Sequence, residues 1–148
     1  MINQLLLGSI VIVSTVIIQV VLFNVAILYL TRIANWLNNP ASFLKTSIVM
    51  TAVVLWTLLA ITIIAWVWAF LLLQVGALNA LEEALYFVTV TLTTLGYGDI
   101  TLNANWRLLS SMIAVNGLII FGLNTAFLVQ FIQKTRGLHI KDNTRADD

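Results

Sequence analysis

No cysteine occurs among the 148 residues, which excludes disulfides and thiolate metal sites. Charge is nearly as scarce. Only 9% of residues are charged, and none lies between Met1 and Thr31, between Thr46 and Leu81, or between Leu108 and Gln133. The net charge of +1 argues against a nucleic-acid partner. The single histidine, His139, stands in a short polar stretch near the C-terminus and reads as a solvated residue rather than a pH sensor. No pair of acids is placed for general acid and base roles, so the chain is not expected to be an enzyme, and no cofactor is implied.

What fills the gaps is hydrocarbon. Hydrophobic residues make up 61% of the chain, and three apolar runs exceed the roughly 18 residues of a membrane-spanning helix. The fold class is therefore an all-α integral membrane protein with three transmembrane helices. The first run, Leu5 to Leu30, lacks the basic flank of a signal peptide and is about twice as long as a signal's apolar core, so it reads as a true span. Its polar residues Ser9, Ser14, Thr15, Gln19 and Asn24 form no clean stripe and are expected to serve helix packing. "TRIANWLNNPASFLKTS" follows, with Arg32, Trp36, Asn38, Asn39, Pro40 and Lys45 marking an interfacial connection. The second span, Ser47 to Gln74, is about 28 residues or roughly 42 Å long, with Trp66 and Trp68 expected at its outer interface. The third spans 106–133, anchored by Trp106 and Arg107 at entry and by Lys134 and Arg136 at exit. Three regions result: 1–46, a first helix and its connection; 47–134, a second unit; and 135–148, a short tail.

Basic residues orient the chain. Arg32 and Lys45 fall in the first loop and Lys134, Arg136, Lys141 and Arg145 after the last span, whereas the second loop has Arg107 beside Glu82, Glu83 and Asp99. The positive-inside rule then puts the first loop and the C-terminus in the cytoplasm and the N-terminus outside, in the cell membrane.

The second loop, Val75 to Asn105, is too long for a turn. Asn79 with Glu82 three residues on resembles a capping box, opening a short helix over 80–93 that is too short to span. After it comes "TTLGYGD", Thr93 to Asp99. A helix that enters the membrane and gives way to glycines is re-entrant, and irregular backbone at that depth is tolerated only when buried in protein or lining water. Gly96 and Gly98 alternate with Leu95 and Tyr97, and glycine readily takes positive φ. Alternating handedness turns successive carbonyls to one side, giving an oxygen ladder from Thr94, Leu95, Gly96 and Tyr97 with the Thr94 hydroxyl below it.

"TTLGYGD" resembles the selectivity-filter signature of potassium channels. The resemblance covers Ser47 to Gln133 as outer helix (47–74), pore helix (80–93), filter (94–98) and inner helix (106–133), and leaves the first helix unmatched. It implies K+ held by the carbonyls of Thr94, Leu95, Gly96 and Tyr97, with Gly98 closing the filter. It further implies filter support from Tyr86, Phe87, Val90, Thr93 and Asp99. "WRLLSSMIAVNGLIIFG" is similar to the family's inner helix, with Gly117 as a hinge and Leu118, Phe121 and Thr125 facing a central cavity, Asn124 near its lower part. Gly122 is expected to allow close helix packing.

The chain also departs from the family. Many relatives carry a tryptophan pair where Tyr86 and Phe87 stand, some carry glutamate at Val90, and the proline that often follows the filter aspartate is absent. Phe87 and Val90 have no polar atom to offer, so the Tyr86 hydroxyl is expected to donate to Asp99. One motif supplies one wall of a filter, so a homotetramer with three identical subunits and surrounding lipid is implied. A weakly selective cation pore and a non-conducting scaffold are the alternatives. The first helix lacks the regularly spaced arginines of a voltage sensor, and the tail is too short for a ligand-binding domain, leaving gating to the filter, the inner helices, lipid or a regulatory partner subunit.

Overall fold

The computed structural model describes residues 2–37 and 43–146, with backbone alone for 30, 31, 33–37, 43, 46 and 134–146. The interfacial residues Asn38, Asn39 and Pro40, the Trp36 side chain and the tail side chains, His139 included, lie outside the described portion. Four helices follow in order: α1 (Ile2–Leu37), α2 (Phe43–Gln74), α3 (Leu81–Leu92) and α4 (Arg107–Ala146). Among the described residues there is no strand. Three apolar spans, Ile2–Tyr29, Ser47–Gln74 and Arg107–Gln133, are long enough to cross a membrane. The protein is an all-α integral membrane protein.

The helices outrun the spans. α1 continues to Leu37 past the expected stop at Leu30, α2 begins at Phe43, and the backbone of α4 stays helical to Ala146, where a separate tail was expected. Bilayer thickness limits the apolar run, not the helix, and no residue between Thr31 and Leu37 breaks helical geometry.

α2 ends in a Schellman motif. Gly76 takes φ +66°, its N–H bonds the Leu73 carbonyl at 3.1 Å, and the Ala77 N–H bonds the Leu72 carbonyl at 2.9 Å. α3 starts from Ala80, extended and without a side-chain cap, so Asn79 lies one residue too early to cap it. Glu82 and Glu83 in the first turn complement the helix dipole instead. α3 then descends into the membrane. Its last turn lies against Ile61 and Ala65 of α2 and Gly117 of α4, near the middle of both spans. The short helix thus ends level with the middle of the spans without being long enough to cross beside them.

α1 and α4 run parallel. Gln4 donates to the Asn105 carbonyl, Gly8 abuts Met112, Thr15 meets Asn116, Gln19 meets Asn124, and the Phe23 and Phe127 rings stack at 4.5 Å. These α1 residues recur every three to four positions or at multiples of that spacing, so Thr15 and Gln19 do belong to a stripe, shared with Gln4, Gly8 and Phe23. Ser14 and Asn24 instead bond carbonyls four residues back on their own helix. α2 is clipped to α1 by Trp56, whose indole N–H donates to the Leu22 carbonyl at 3.1 Å. Ala26, Val49, Val53 and Phe127 close that end of the bundle.

Trp68 corrects an expectation. It is fully buried in the core with Ile64, Leu72, Val88, Leu109 and Ile113, and its indole N–H has no partner. α3 and the turn after α2 cover this part of α2, so Trp68 is a core residue and the partly exposed Trp66 faces out beside Phe70.

Candidate functional site

α3 also ends in a Schellman motif, with a threonine where α2 uses glycine. Thr93 is the last helical cap, and Thr94 takes φ +59°. The Thr94 N–H bonds the Thr91 carbonyl at 3.0 Å and the Leu95 N–H bonds the Val90 carbonyl at 3.0 Å. Gly96 N–H shares that Val90 oxygen at 3.2 Å, and the Thr93 hydroxyl donates to Thr89 at 2.8 Å. A β-branched residue in the left-handed region is a genuine outlier, and such strain collects at functional sites.

Those bonds fix where the carbonyls go. No peptide bond in the described chain is cis, so each carbonyl points opposite to the N–H of the next residue. With the N–H groups of Thr94, Leu95 and Gly96 turned back to α3, the carbonyls of Thr93, Thr94 and Leu95 point away from it. The alternation continues outward. Gly96 is at φ +56° and Gly98 at +79°, while Leu95 and Tyr97 stay at negative φ. Residues 93–99 are all exposed on the single chain, Tyr97 at 69%.

The outer end is tied at Asp99. The Tyr86 hydroxyl donates to Asp99 Oδ2 at 2.7 Å, the pairing expected from the residues around the motif. That hydrogen bond, with help from the backbone N–H groups of Asp99 and Ile100, holds the Asp99 carboxyl below its usual range, and the same bond pushes the Tyr86 hydroxyl above its own. Behind the segment lies a cavity of about 310 Å³ bordered by Tyr86, Phe87, Val90, Gly96, Gly98 and Asp99. Thr91, Thr101, Ser110 and Ser111 also line it, so the cavity has polar residues on its border, the Ser110 hydroxyl donating to the Arg107 carbonyl at 2.6 Å. Ser110 and Ser111 were not singled out from the sequence, although a serine pair in an apolar helix was the available signal.

On α4 the expected cavity residues divide. Leu118, Phe121 and Thr125 lie on the chain's open face, the Thr125 hydroxyl bonded to the Phe121 carbonyl at 2.9 Å. Asn124 does not join them. It is buried against α1, accepting from Gln19 Nε2 at 3.0 Å and donating to the Ile120 carbonyl at 3.0 Å, because helical spacing from Thr125 rotates it about 100° away. Gly117 is a contact point. A β-carbon there would sit 1.9 Å from the Leu92 carbonyl oxygen, and α4 continues through it without interruption. Gly122 has open space before it, so within one chain its β-carbon would meet nothing.

The chain was compared with known proteins. A family model described as an ion channel matches residues 56–134, from the middle of α2 through α3 and the filter-like segment into α4. No curated protein and no solved structure matches the chain.

Proposed function

The chain belongs to the ion-channel family, whose members conduct ions passively across a membrane, and we propose that it forms a potassium-selective pore from four identical chains. The observation that carries this reading is the segment from Thr94 to Gly98. Positive φ at every second residue is the backbone alternation that turns successive carbonyls to one side, and the N–H groups at its base, bonded back to α3, turn the carbonyls of Thr93, Thr94 and Leu95 away from that helix, which supports the reading. Backbone oxygens so arranged replace the hydration shell of a bare cation. The carbonyls of Thr94, Leu95, Gly96 and Tyr97 and the Thr94 hydroxyl are the proposed ligands of K+, the only ligand the reading requires.

The exposure of the segment supports an assembly, and one motif per chain supports four copies. Irregular backbone at membrane depth cannot face lipid, so the open side of residues 93–99 calls for other protein or a water-filled path. Four such segments around an axis provide both, and the negative C-terminal ends of four α3 helices then favour a cation below the filter. Leu118, Phe121 and Thr125 line the cavity in this assembly. The N-terminus lies outside and the C-terminus in the cytoplasm of the cell membrane.

Purified protein in liposomes tests the reading. K+ flux with a reversal potential that follows the K+ gradient in the presence of Na+ is the expected result. A reversal potential indifferent to which cation is present makes it a weakly selective pore, and absence of flux sinks the pore reading. A native mass of one or two chains in lipid discs removes the fourfold mechanism.

A further inference from the structure

α1 lies outside the family match, which begins at residue 56, yet its most buried polar side chains are bonded to the inner helix. Thr15 accepts from Asn116 Nδ2 at 2.9 Å, and Gln19 Nε2 donates to Asn124 Oδ1 at 3.0 Å. Thr15, Gln19 and Asn116 are wholly buried and Asn124 is 4% exposed. Between the two asparagines stand Gly117 and Gly122. Glycine is the poorest helix former after proline, so the stretch 117–122 is the weakest part of the α4 span. It is also where α4 presses on the Leu92 carbonyl, two residues before Thr94.

We propose that α1 is a built-in splint for the inner helix, with Gln19 and Thr15 as positioning residues that fix the α4 segments on either side of the glycines. The inference rests on the channel reading, since its consequence is control of how readily the ion path opens. A bend at the glycines carries Asn124 away from Gln19 and leaves Gln19 Nε2 and Asn124 Oδ1 without their partner in an apolar surround. The two joints are unequal. Asn116 and Thr15 are held close to the filter base and bond each other, whereas the one side-chain oxygen of Gln19, Oε1, is buried and unpartnered, so the lower joint is the weaker one and yields first.

The paired variant Gln19→Leu with Asn124→Leu removes the lower joint while keeping apolar volume. Spin labels at Val21→Cys and Val129→Cys, both on exposed positions of a chain without cysteine, report the α1–α4 distance in tetramers diluted with unlabelled chains. The native pair gives one narrow distance. The leucine pair gives a second distance, and its opening equilibrium in liposomes changes by about threefold per chain, the effect of an average interhelical hydrogen bond in a membrane. The exchanged pair, Gln19→Asn with Asn124→Gln, restores both readouts. A leucine pair with a single unchanged distance and unchanged opening overturns the splint. Should that pair fail to assemble, Gln19→Leu alone is judged by the same outcomes. If the native protein passes no ions, the channel reading fails and the label distances alone decide the splint.

Discussion

The α-carbon of Gly117 lies so close to the Leu92 carbonyl that a β-carbon at 117 would stand 1.9 Å from the oxygen. The opposing atom is backbone at the end of α3, so no rotamer change makes room. Gly117→Ala should therefore push α4 from the end of α3, lowering assembly stability by about 1–3 kcal/mol as overpacked sites do. A fall in the thermal midpoint of the assembled protein, with reduced flux, is the expected outcome; an unchanged midpoint contradicts the contact. Gly122→Ala is the control, since its β-carbon meets nothing within the chain and any effect reports contact between copies.

Tyr86→Phe keeps the ring and removes the hydroxyl that Asp99 accepts from. The outer end of the filter then loses its side-chain tie, while Phe87 and Val90 have no polar atom to replace it. Currents through the variant should decay faster during sustained opening and collapse at a higher K+ concentration than in the native protein. Matching time courses and K+ dependence refute the tie.

The same pair sets a pH window. Asp99 has its carboxyl lowered in the folded state, so its contribution is present above the ordinary carboxylate range and is lost as pH falls through the lowered value. Tyr86 is raised, so its contribution is present below the ordinary phenol value and is lost only as pH rises through the raised one. Filter stability should be flat from about pH 5 to about pH 9, between the ordinary values of the two groups. In Tyr86→Phe the chief cause of the lowering is gone, and the acid limb should shrink. Current decay measured across pH checks both; an acid limb of unchanged size excludes the pair as its source.

Much of this was legible because membrane sequences separate their signals. Charge could go only between Thr31 and Thr46, between Leu81 and Leu108, and after Gln133, which placed the spans. Gly96 and Gly98 marked backbone that needs positive φ. The Tyr86–Asp99 bond was legible by elimination, since its neighbours lack polar atoms. Pairings that need the relative register of distant helices were not legible, and Thr15 with Asn116, Gln19 with Asn124 and the burial of Trp68 all depend on it. Helix ends were missed because apolar length tracks the bilayer while helical geometry ignores it. The left-handed turn at Thr94 was hidden by its residue type, since nothing about a threonine announces positive φ.

Thr94 allows a separation of strain from chemistry. Gly76 and Thr94 occupy equivalent positions in two Schellman motifs, and only the second pays for a side chain in the left-handed region. That conformation costs a non-glycine residue roughly 1–2 kcal/mol. Thr94→Gly relieves it and deletes the hydroxyl together, so the variant should gain thermal stability in K+-free buffer while binding K+ more weakly by calorimetry. Thr94→Ala deletes the hydroxyl and keeps a β-carbon, so it should lose the same K+ affinity without the gain in stability. Thr94→Ser, which keeps the hydroxyl, should retain most of the affinity. If glycine and alanine at 94 bind K+ as the native protein does, the hydroxyl is no ligand; if glycine brings no stability, the strain at Thr94 is already relieved by its hydrogen bonds to α3.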